Sequence, residues 1–270
     1  MPFRKMHGLG NDFVIFDARS CEFSMSNCKA KSLCHRKRGI GCDQLIILRQ
    51  SKTADVFMEI WNADGTRVGA CGNATRCIGH LIIEEKGQRR CTIETDADIL
   101  KAEKANGLIK VTMGKAKILA QDVPLAKEMN TLSVDLDLYG LPAAVCTSMG
   151  NPHVTFFMDS IPDDHFLEKM GPKIETHSLF PEYVNVAFAF LQADGSLRLR
   201  VWERGAGVTE ACGTAACAAG VAAYRRQITS RRSVIELDGG RLEIEYQSDG
   251  TVMMTGPIAY SFNGEVMIND

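Results

Sequence analysis

The sequence predicts an α+β fold of two similar lobes, and three observations support this prediction. The pentapeptide ACGNA at 70–74 returns as ACGTA at 211–215. Trp61 and Trp202 keep the same spacing to these pentapeptides, and each ends a run that alternates as a half-buried strand does. A helical pattern follows each pentapeptide. The repeated unit is therefore a strand, a loop with a cysteine, and a helix.

The repeat also extends upstream of the tryptophans. A Gly-Asn pair leads into a strand-like run in each half, at 10–16 and at 150–157. Landmark residues keep register to within one position along each half, namely Asn11, Gln44, Asn62 and Cys71 in the first and Asn151, Asn185, Glu203 and Cys212 in the second. A match over this length indicates duplicated structure rather than a chance recurrence of five letters.

Strand-rich segments at 90–113 and 233–255 follow the two helices, and NG, GG and DG turns divide them into predicted hairpins. Between the two halves, a proline and polar residues interrupt the periodicity. The predicted lobes are therefore 1–117 and 118–262. The C-terminal tail, 263–270, is a candidate segment of the first lobe.

Composition and charge exclude several classes of protein. The chain has 270 residues, of which 45% are hydrophobic and 24% charged, and its formal net charge is −2. No apolar run approaches the roughly 18 residues of a membrane span, and no basic block indicates a nucleic-acid partner. The N-terminal segment lacks the apolar core of a secretory signal. These features predict a cytoplasmic protein that acts on small molecules.

The ten cysteines are spread along the chain without a CxxC pair. In a long chain of this kind they are expected to be reduced thiols. Structural zinc sites need two close pairs of ligands, and neither Cys71 with Cys77 nor Cys212 with Cys217 is followed by a second pair. The sequence therefore predicts no metal.

Cys71 and Cys212 each lie immediately before a predicted helix. Unpaired N–H groups and the helix dipole favour negative charge there, so a thiol ionises more readily than it does in water. Gly72 and Gly213 allow the backbone to approach a ligand closely, and the N–H groups that follow can bind a carboxylate. Each lobe is therefore expected to offer one reactive thiol and one anion site.

A pair of such thiols is suited to inverting a stereocentre. A duplicated lobe often packs on its copy about an approximate two-fold axis, which would bring the helix starts face to face. One thiol could then remove a proton from one face of a carbon atom while the other delivers a proton to the opposite face. The same helix starts would hold the attached carboxylate and stabilise the charge that develops.

The motifs around these cysteines cover nearly the whole chain. They are MHGLGNDF at 6–13, GCDQ at 41–44, NADG at 62–65, ACGNATRC at 70–77, SMGNPH at 148–153, ERGAG at 203–207, ACGTAACA at 211–218 and MTGP at 254–257. Together they resemble the diaminopimelate epimerase family. The resemblance implies a cofactor-independent interconversion of LL- and meso-2,6-diaminopimelate, in lysine and peptidoglycan precursor synthesis. It also implies two pseudo-symmetric lobes, each a β-barrel-like sheet around a central helix, and a homodimer.

The same resemblance implies roles for individual residues. Cys71 and Cys212 are the implied acid and base, and their roles exchange when the reaction reverses. The implied substrate contacts are Asn11, Gln44, Asn62, Gly72, Asn73, Asn151, Asn185, Glu203, Arg204, Gly213 and Thr214. Arg204 is suited to a bidentate contact with the distal carboxylate. His153 and Glu203 are expected to lie beside the thiols and to influence their ionisation.

One departure from the commoner family pattern occurs in both halves alike. Ala74 and Ala215 replace the second glycine of CGxG. Alanine would be strained at a positive φ but suits an early helical position, so the sequence predicts that both residues are helical.

Alternative functions stay open at this point. An amino-acid racemase of the same fold with another substrate, such as a proline-type amino acid, would use the same two thiols, although Arg204 favours a substrate with a distal carboxylate. A noncatalytic amino-acid-binding protein would not need two symmetric thiols. A thiol redox protein would be expected to carry a CxxC pair.

Overall fold

The computed structural model describes residues 1–138 and 140–268. The chain divides into two compact units. The first unit comprises Met1–Thr112 together with the segment that begins at Thr255, and the second comprises Met113–Met254. Both units are mixed α and β.

The observed limits of the units lie earlier in the chain than the predicted limits, 117/118 and 262/263. The first change of unit falls inside a continuous strand, where the sequence pattern shows no break. The second falls before the last strand, which has to return to pair with the first strand of the chain. Residues 269 and 270 of the predicted tail lie outside the described residues.

The elements of the N-terminal half alternate between strands and two helices. In chain order they are β1 (Pro2–Gly8), β2 (Asn11–Asp17), α1 (Asn27–Cys34), β3 (Gln44–Arg49), β4 (Val56–Asn62), β5 (Arg67–Val68), α2 (Gly72–Lys86), β6 (Arg90–Glu94), β7 (Ile99–Ala105) and β8 (Leu108–Lys115). β2 and β3 are parallel, as are β4 and β6, whereas β3 with β4 and β6 with β7 are antiparallel.

The remaining elements repeat this order. After a short 3₁₀ helix (Ala120–Asp122) they are β9 (Val145–Ser148), β10 (Pro152–Phe157), α3 (Asp164–Glu175), β11 (Asn185–Leu191), β12 (Leu197–Glu203), β13 (Gly207–Val208), α4 (Gly213–Arg225), β14 (Arg232–Leu237), β15 (Gly240–Tyr246), β16 (Thr251–Gly256) and β17 (Ala259–Glu265). β10 and β11 are parallel, as are β12 and β14, and β11 with β12 and β14 with β15 are antiparallel. β17 pairs with β1. The prediction of an α+β fold with two alike lobes is confirmed.

A glycine in each long helix shows that the repeat includes the packing of the core. A Cβ atom on Gly79 of α2 would lie 2.5 Å from the Cβ of Ala102 in β7. A Cβ atom on Gly220, at the equivalent position of α4, would lie 2.9 Å from Ile244 in β15. Glycine therefore lets each helix approach its own sheet closely, which holds the start of the helix in place.

Candidate active site

Cys71 and Cys212 are the N-cap residues of α2 and α4. Both have extended backbones, with φ and ψ of −148° and 114° for Cys71 and of −119° and 109° for Cys212. The N–H of Ala74 donates to the sulfur of Cys71 over 3.5 Å. Ala74 and Ala215 lie inside the helices, as predicted. Each cysteine therefore lies where the N–H groups and the dipole of a helix favour negative charge.

The thiol of Cys71 lies in a network of side-chain amides. Its sulfur is 4.0 Å from Oδ1 of Asn11, and this oxygen also accepts from Nδ2 of Asn73 over 3.2 Å. Nδ2 of Asn11 donates to Asp43 over 3.1 Å. These contacts connect the start of β2 with the first turn of α2, so the tertiary structure brings Asn11 to the sulfur of Cys71 and Asn73 to Asn11.

Gln44 and Asn62 lie side by side at the adjoining ends of β3 and β4. Nε2 of Gln44 donates to Oδ1 of Asn62 over 3.0 Å, and the two residues are directly opposite each other in the antiparallel pairing. Because Asp43 directly precedes Gln44 and accepts from Asn11, this polar pair adjoins the network around Cys71. Asn11, Gln44 and Asn62 thus lie at one end of β2, β3 and β4.

The thiol of Cys212 is more buried than that of Cys71, and it lies near the carboxylate of Glu203. Its sulfur is 3.5 Å from the hydroxyl of Thr214, and Nδ2 of Asn151 donates to the same hydroxyl over 3.4 Å. Burial, and next the negative charge of Glu203, raise the pKa of Cys212 well above its usual value. Cys212 is therefore protonated at neutral pH until a base or a substrate changes its surroundings.

His153 is fully buried behind Asn151. Its Nε2 lies 3.0 Å from Oδ1 of Asn151. Burial, and next the charge of Arg204, lower the pKa of His153 to about 3. The ring is therefore neutral at physiological pH, and the proton on Nε2 can be donated to the Asn151 carbonyl. His153 reaches Cys212 through Asn151 and Thr214.

Asn185 and Arg204 shape the loop after β12. Nδ2 of Asn185 donates to the carbonyl of Pro152 over 2.9 Å, and Oδ1 accepts from the backbone N–H of Arg204 over 3.0 Å. The guanidinium of Arg204 is exposed and donates to the carbonyl of Glu182 over 2.9 Å. Because β12 ends at Glu203, the side chains of Glu203 and Arg204 need not point to opposite faces of the sheet, as neighbouring residues within a strand do.

Three polar residues of these networks were not singled out in the sequence. Asp43 accepts a hydrogen bond from the side chain of Asn11. The hydroxyl of Thr209 donates to Glu203, and Glu175 accepts from the backbone N–H of Gly205. The repeat could not reveal them because its other half carries different residue types at the equivalent positions, such as Val184 for Asp43. The GCDQ motif was the available signal for Asp43.

The described ranges 1–138 and 140–268 contain no group of three or more His, Cys, Asp or Glu side chains that could hold a metal ion. Among the same residues, every helix is too short or too polar to cross a lipid bilayer.

The low pKa of His153 gives an expected dependence of stability on pH. The unfolded chain takes up a proton at this histidine near pH 6.5, whereas the folded protein keeps it neutral down to about pH 3. The folded state therefore loses stability as the pH falls below 6.5, by about 2 kcal/mol at pH 5. In the variant His153→Phe, which introduces the residue found at the equivalent position 13, we expect this part of the pH dependence to vanish.

Urea unfolding at pH 7.5 and pH 5 measures this effect in both proteins. The comparison of two pH values within each protein cancels any change in packing that phenylalanine causes. An equal loss of stability in the variant and in the unmodified protein would contradict the buried, neutral state of His153.

The sequence and the fold can be compared with those of known proteins. The family model of diaminopimelate epimerases matches residues 3–119 and 145–260. The diaminopimelate epimerase of Acidiphilium cryptum (strain JF-5) is 49% identical over 267 residues, covering 98% of this chain and 96% of that protein. That of Phenylobacterium zucineum (strain HLK1) is 48% identical over 270 residues, covering 98% and 97%.

A solved structure shares the fold at low identity. A hydroxyproline epimerase from Agrobacterium vitis, with bound trans-4-hydroxy-L-proline, has a TM-score of 0.71 and 14% identity, covering 100% of this chain and 93% of that chain. At this identity the likeness concerns the fold alone. The family match and the two curated relatives concern the sequence over almost its whole length. The chain therefore belongs to the diaminopimelate epimerase family.

Proposed function

We propose that this chain interconverts LL- and meso-2,6-diaminopimelate by a two-base reaction that needs no cofactor. The observation that carries the proposal is the placement of Cys71 and Cys212 as N-caps of equivalent helices, each within a network of polar side chains. One thiolate removes the proton from the α-carbon, and the other thiol delivers a proton to the opposite face of that carbon.

The starting protonation states follow from the surroundings of the two sulfurs. Burial, and next the charge of Glu203, keep Cys212 protonated, so Cys212 is the acid of the resting enzyme. Cys71 then has to be the base, and Asn11 and the N–H of Ala74 adjoin its sulfur. After one turnover the proton has moved from Cys212 to the product and the substrate proton lies on Cys71. The reverse reaction therefore starts with exchanged roles.

The reacting carboxylate is expected at the helix N-termini. The backbone N–H groups of Gly72, Asn73, Gly213 and Thr214 belong to first turns, where N–H groups have no partner within the helix. Such groups stabilise the negative charge that spreads into the carboxylate when the α-proton leaves. We assign contacts with the rest of the substrate to a set of polar side chains, namely those of Asn11, Gln44, Asn62, Asn151, Asn185, Glu203 and Arg204.

The alternative substrate class is a proline-type amino acid. The fold does not choose between the two, because a hydroxyproline epimerase shares it. The curated relatives named diaminopimelate epimerase favour the first class. Arg204 also favours it, since a guanidinium is suited to the distal carboxylate, which proline lacks.

The deciding experiment is an assay of the purified protein without added pyridoxal phosphate. LL-diaminopimelate, L-proline and trans-4-hydroxy-L-proline are supplied separately, and chiral chromatography separates the stereoisomers. We expect conversion of LL- to meso-diaminopimelate and no conversion of the other two amino acids. Turnover of a proline-type substrate alone would favour the alternative, and a need for pyridoxal phosphate would contradict the proposed mechanism.

Two further features belong to this proposal. The reaction requires one thiol and one thiolate, so the enzyme needs a reducing compartment, and we place it in the cytoplasm.

Tyr260 and Phe262 of β17 have exposed aromatic side chains, with 47% and 52% of their surface accessible. Aromatic side chains of this kind are common in protein interfaces, and they support a homodimer.

A further inference from the structure

Arg76 is a fully buried arginine in the second turn of α2. Its Nη1 donates to Oδ1 of Asn73 over 2.9 Å, and its Nε donates to the carbonyl of Pro257 over 3.4 Å. A buried guanidinium is costly unless it is held by hydrogen bonds. A Cβ atom on Gly8 would lie 2.8 Å from Nη2 of Arg76, so the absence of a side chain at Gly8 leaves space for the guanidinium.

The hydrogen bonds that start at Arg76 run in one direction. Arginine can only donate, so it requires the carbonyl end of the Asn73 amide. The NH₂ end of Asn73 then donates to the carbonyl of Asn11, and the NH₂ end of Asn11 donates to the carboxylate of Asp43, which can only accept. A donor at one end and an acceptor at the other therefore determine how both amides are turned. In this orientation the carbonyl of Asn11 faces the sulfur of Cys71.

The second thiol has a comparable arrangement built from different residues. Neutral His153 can donate from Nε2 to the carbonyl of Asn151, and the NH₂ group of Asn151 donates to the hydroxyl of Thr214 beside Cys212. Cys217 stands at the position equivalent to Arg76, so the repeat does not explain why an arginine is buried in α2. In both halves a buried side chain with an N–H donor contacts the carbonyl of an asparagine in the network around a reactive thiol.

We infer that Arg76 is a positioning residue of the epimerase reaction, which acts through Asn73 and Asn11 on the thiol of Cys71. When Cys71 has taken the proton of the substrate, its S–H group can donate to the carbonyl of Asn11. A reversed amide would present an NH₂ group there and would leave the S–H group without this acceptor. The inference rests on the proposed function of Cys71.

The first test compares three substitutions of Arg76 in the full-length enzyme. Arg76→Gln keeps one donor that can reach Asn73 and loses the charge, Arg76→Lys keeps a donor and the charge, and Arg76→Met keeps neither. We expect Arg76→Met to lower kcat by about tenfold, with KM changed less than about twofold. Arg76→Gln and Arg76→Lys should each recover most of kcat, because each can still donate to Asn73.

A double-mutant cycle separates a positioning role from a merely structural one. In the background Asn73→Leu the connection to Asn11 is already lost, so Arg76→Met should lower kcat by less than about twofold further. A structural role would give the same tenfold loss in both backgrounds. The matched control is Arg225→Met in α4, since Arg225 also donates to a buried carbonyl and a hydroxyl, those of Cys146 and Thr131. It should lower the Tm without changing kcat.

Two further measurements test the inference even if Arg76→Met fails to fold or the substrate proves to be another amino acid. Gly8→Ala keeps the charge but displaces the guanidinium, and it should lower kcat in the same way. The side-chain NH₂ signals of Asn73 and Asn11 in ¹⁵N spectra need no substrate. They should be resolved in the unmodified protein and averaged in the Arg76→Met or Gly8→Ala variant.

Unchanged amide signals in these variants would overturn the inference, as would equal losses of kcat in the two backgrounds of the cycle. Absence of diaminopimelate turnover by the unmodified protein would instead overturn the proposed function, so the two failures are distinguishable.

Discussion

Replacing either Cys71 or Cys212 by alanine is expected to abolish epimerisation while the protein stays folded. Each sulfur carries out one of the two proton transfers, and general acid or base groups contribute about 10²- to 10⁴-fold each. We expect kcat to fall at least about 10³-fold in each single variant. The double variant should be little worse than either single variant, because the two sulfurs act in one proton transfer sequence.

The controls are Cys77→Ala and Cys217→Ala, in the same two helices. Both cysteines are buried, and burial raises the pKa of Cys77 to about 12, so that it is no base at neutral pH. These variants should lose stability through a small cavity and keep kcat near that of the unmodified enzyme. Near-normal turnover by Cys71→Ala or by Cys212→Ala would remove that cysteine from the mechanism. Circular dichroism of all four variants shows whether the fold is intact.

In heavy water, meso product formed early from LL-diaminopimelate should carry deuterium at the inverted carbon in almost every molecule. The incoming hydrogen comes from a thiol that has equilibrated with solvent, whereas the hydrogen removed from the substrate stays on the other sulfur. Recovered LL-diaminopimelate should therefore remain unlabelled at first. Mass spectrometry of both stereoisomers at low conversion measures the two labels.

A single base would give a different distribution of label. It could return the same hydrogen to the other face of the carbon, and part of the early product would then carry protium. Substantial protium in that product would contradict the assignment of Cys71 and Cys212 as opposed base and acid. Early deuterium in the recovered substrate would contradict the expectation that the hydrogen removed from the substrate stays on its sulfur until product forms.

The repeat and the helix starts could be predicted because they depend on neighbours in the chain. A helix begins through hydrogen bonds between residues four apart, such as the bond from the N–H of Thr75 to the carbonyl of Cys71. Hydrophobic periodicity and the small residues after each cysteine carry that information. The α+β class, the two alike halves and the helical positions of Ala74 and Ala215 all follow from local patterns of this kind.

The limits of the units could not be read from such patterns. The change of unit after Thr112 lies within β8, a strand whose alternation continues across it. The return at Thr255 is decided by the pairing of β17 with β1, between residues at opposite ends of the chain. A break in periodicity marks a loop, and a loop need not coincide with a limit between compact units.

The sequence by itself thus determined the fold class, the duplicated architecture and the two thiols at helix starts. Only the tertiary structure decided what surrounds each thiol. Asn11 reaches Asn73 across 62 positions of the chain, and Asn151 reaches Thr214 across 63. Burial and the charge of Glu203 raise the pKa of Cys212, and the direction of the amides near Cys71 depends on Arg76 and Asp43. Electrostatic surroundings and hydrogen-bond direction depend on distance in space, which residue spacing along the chain does not encode.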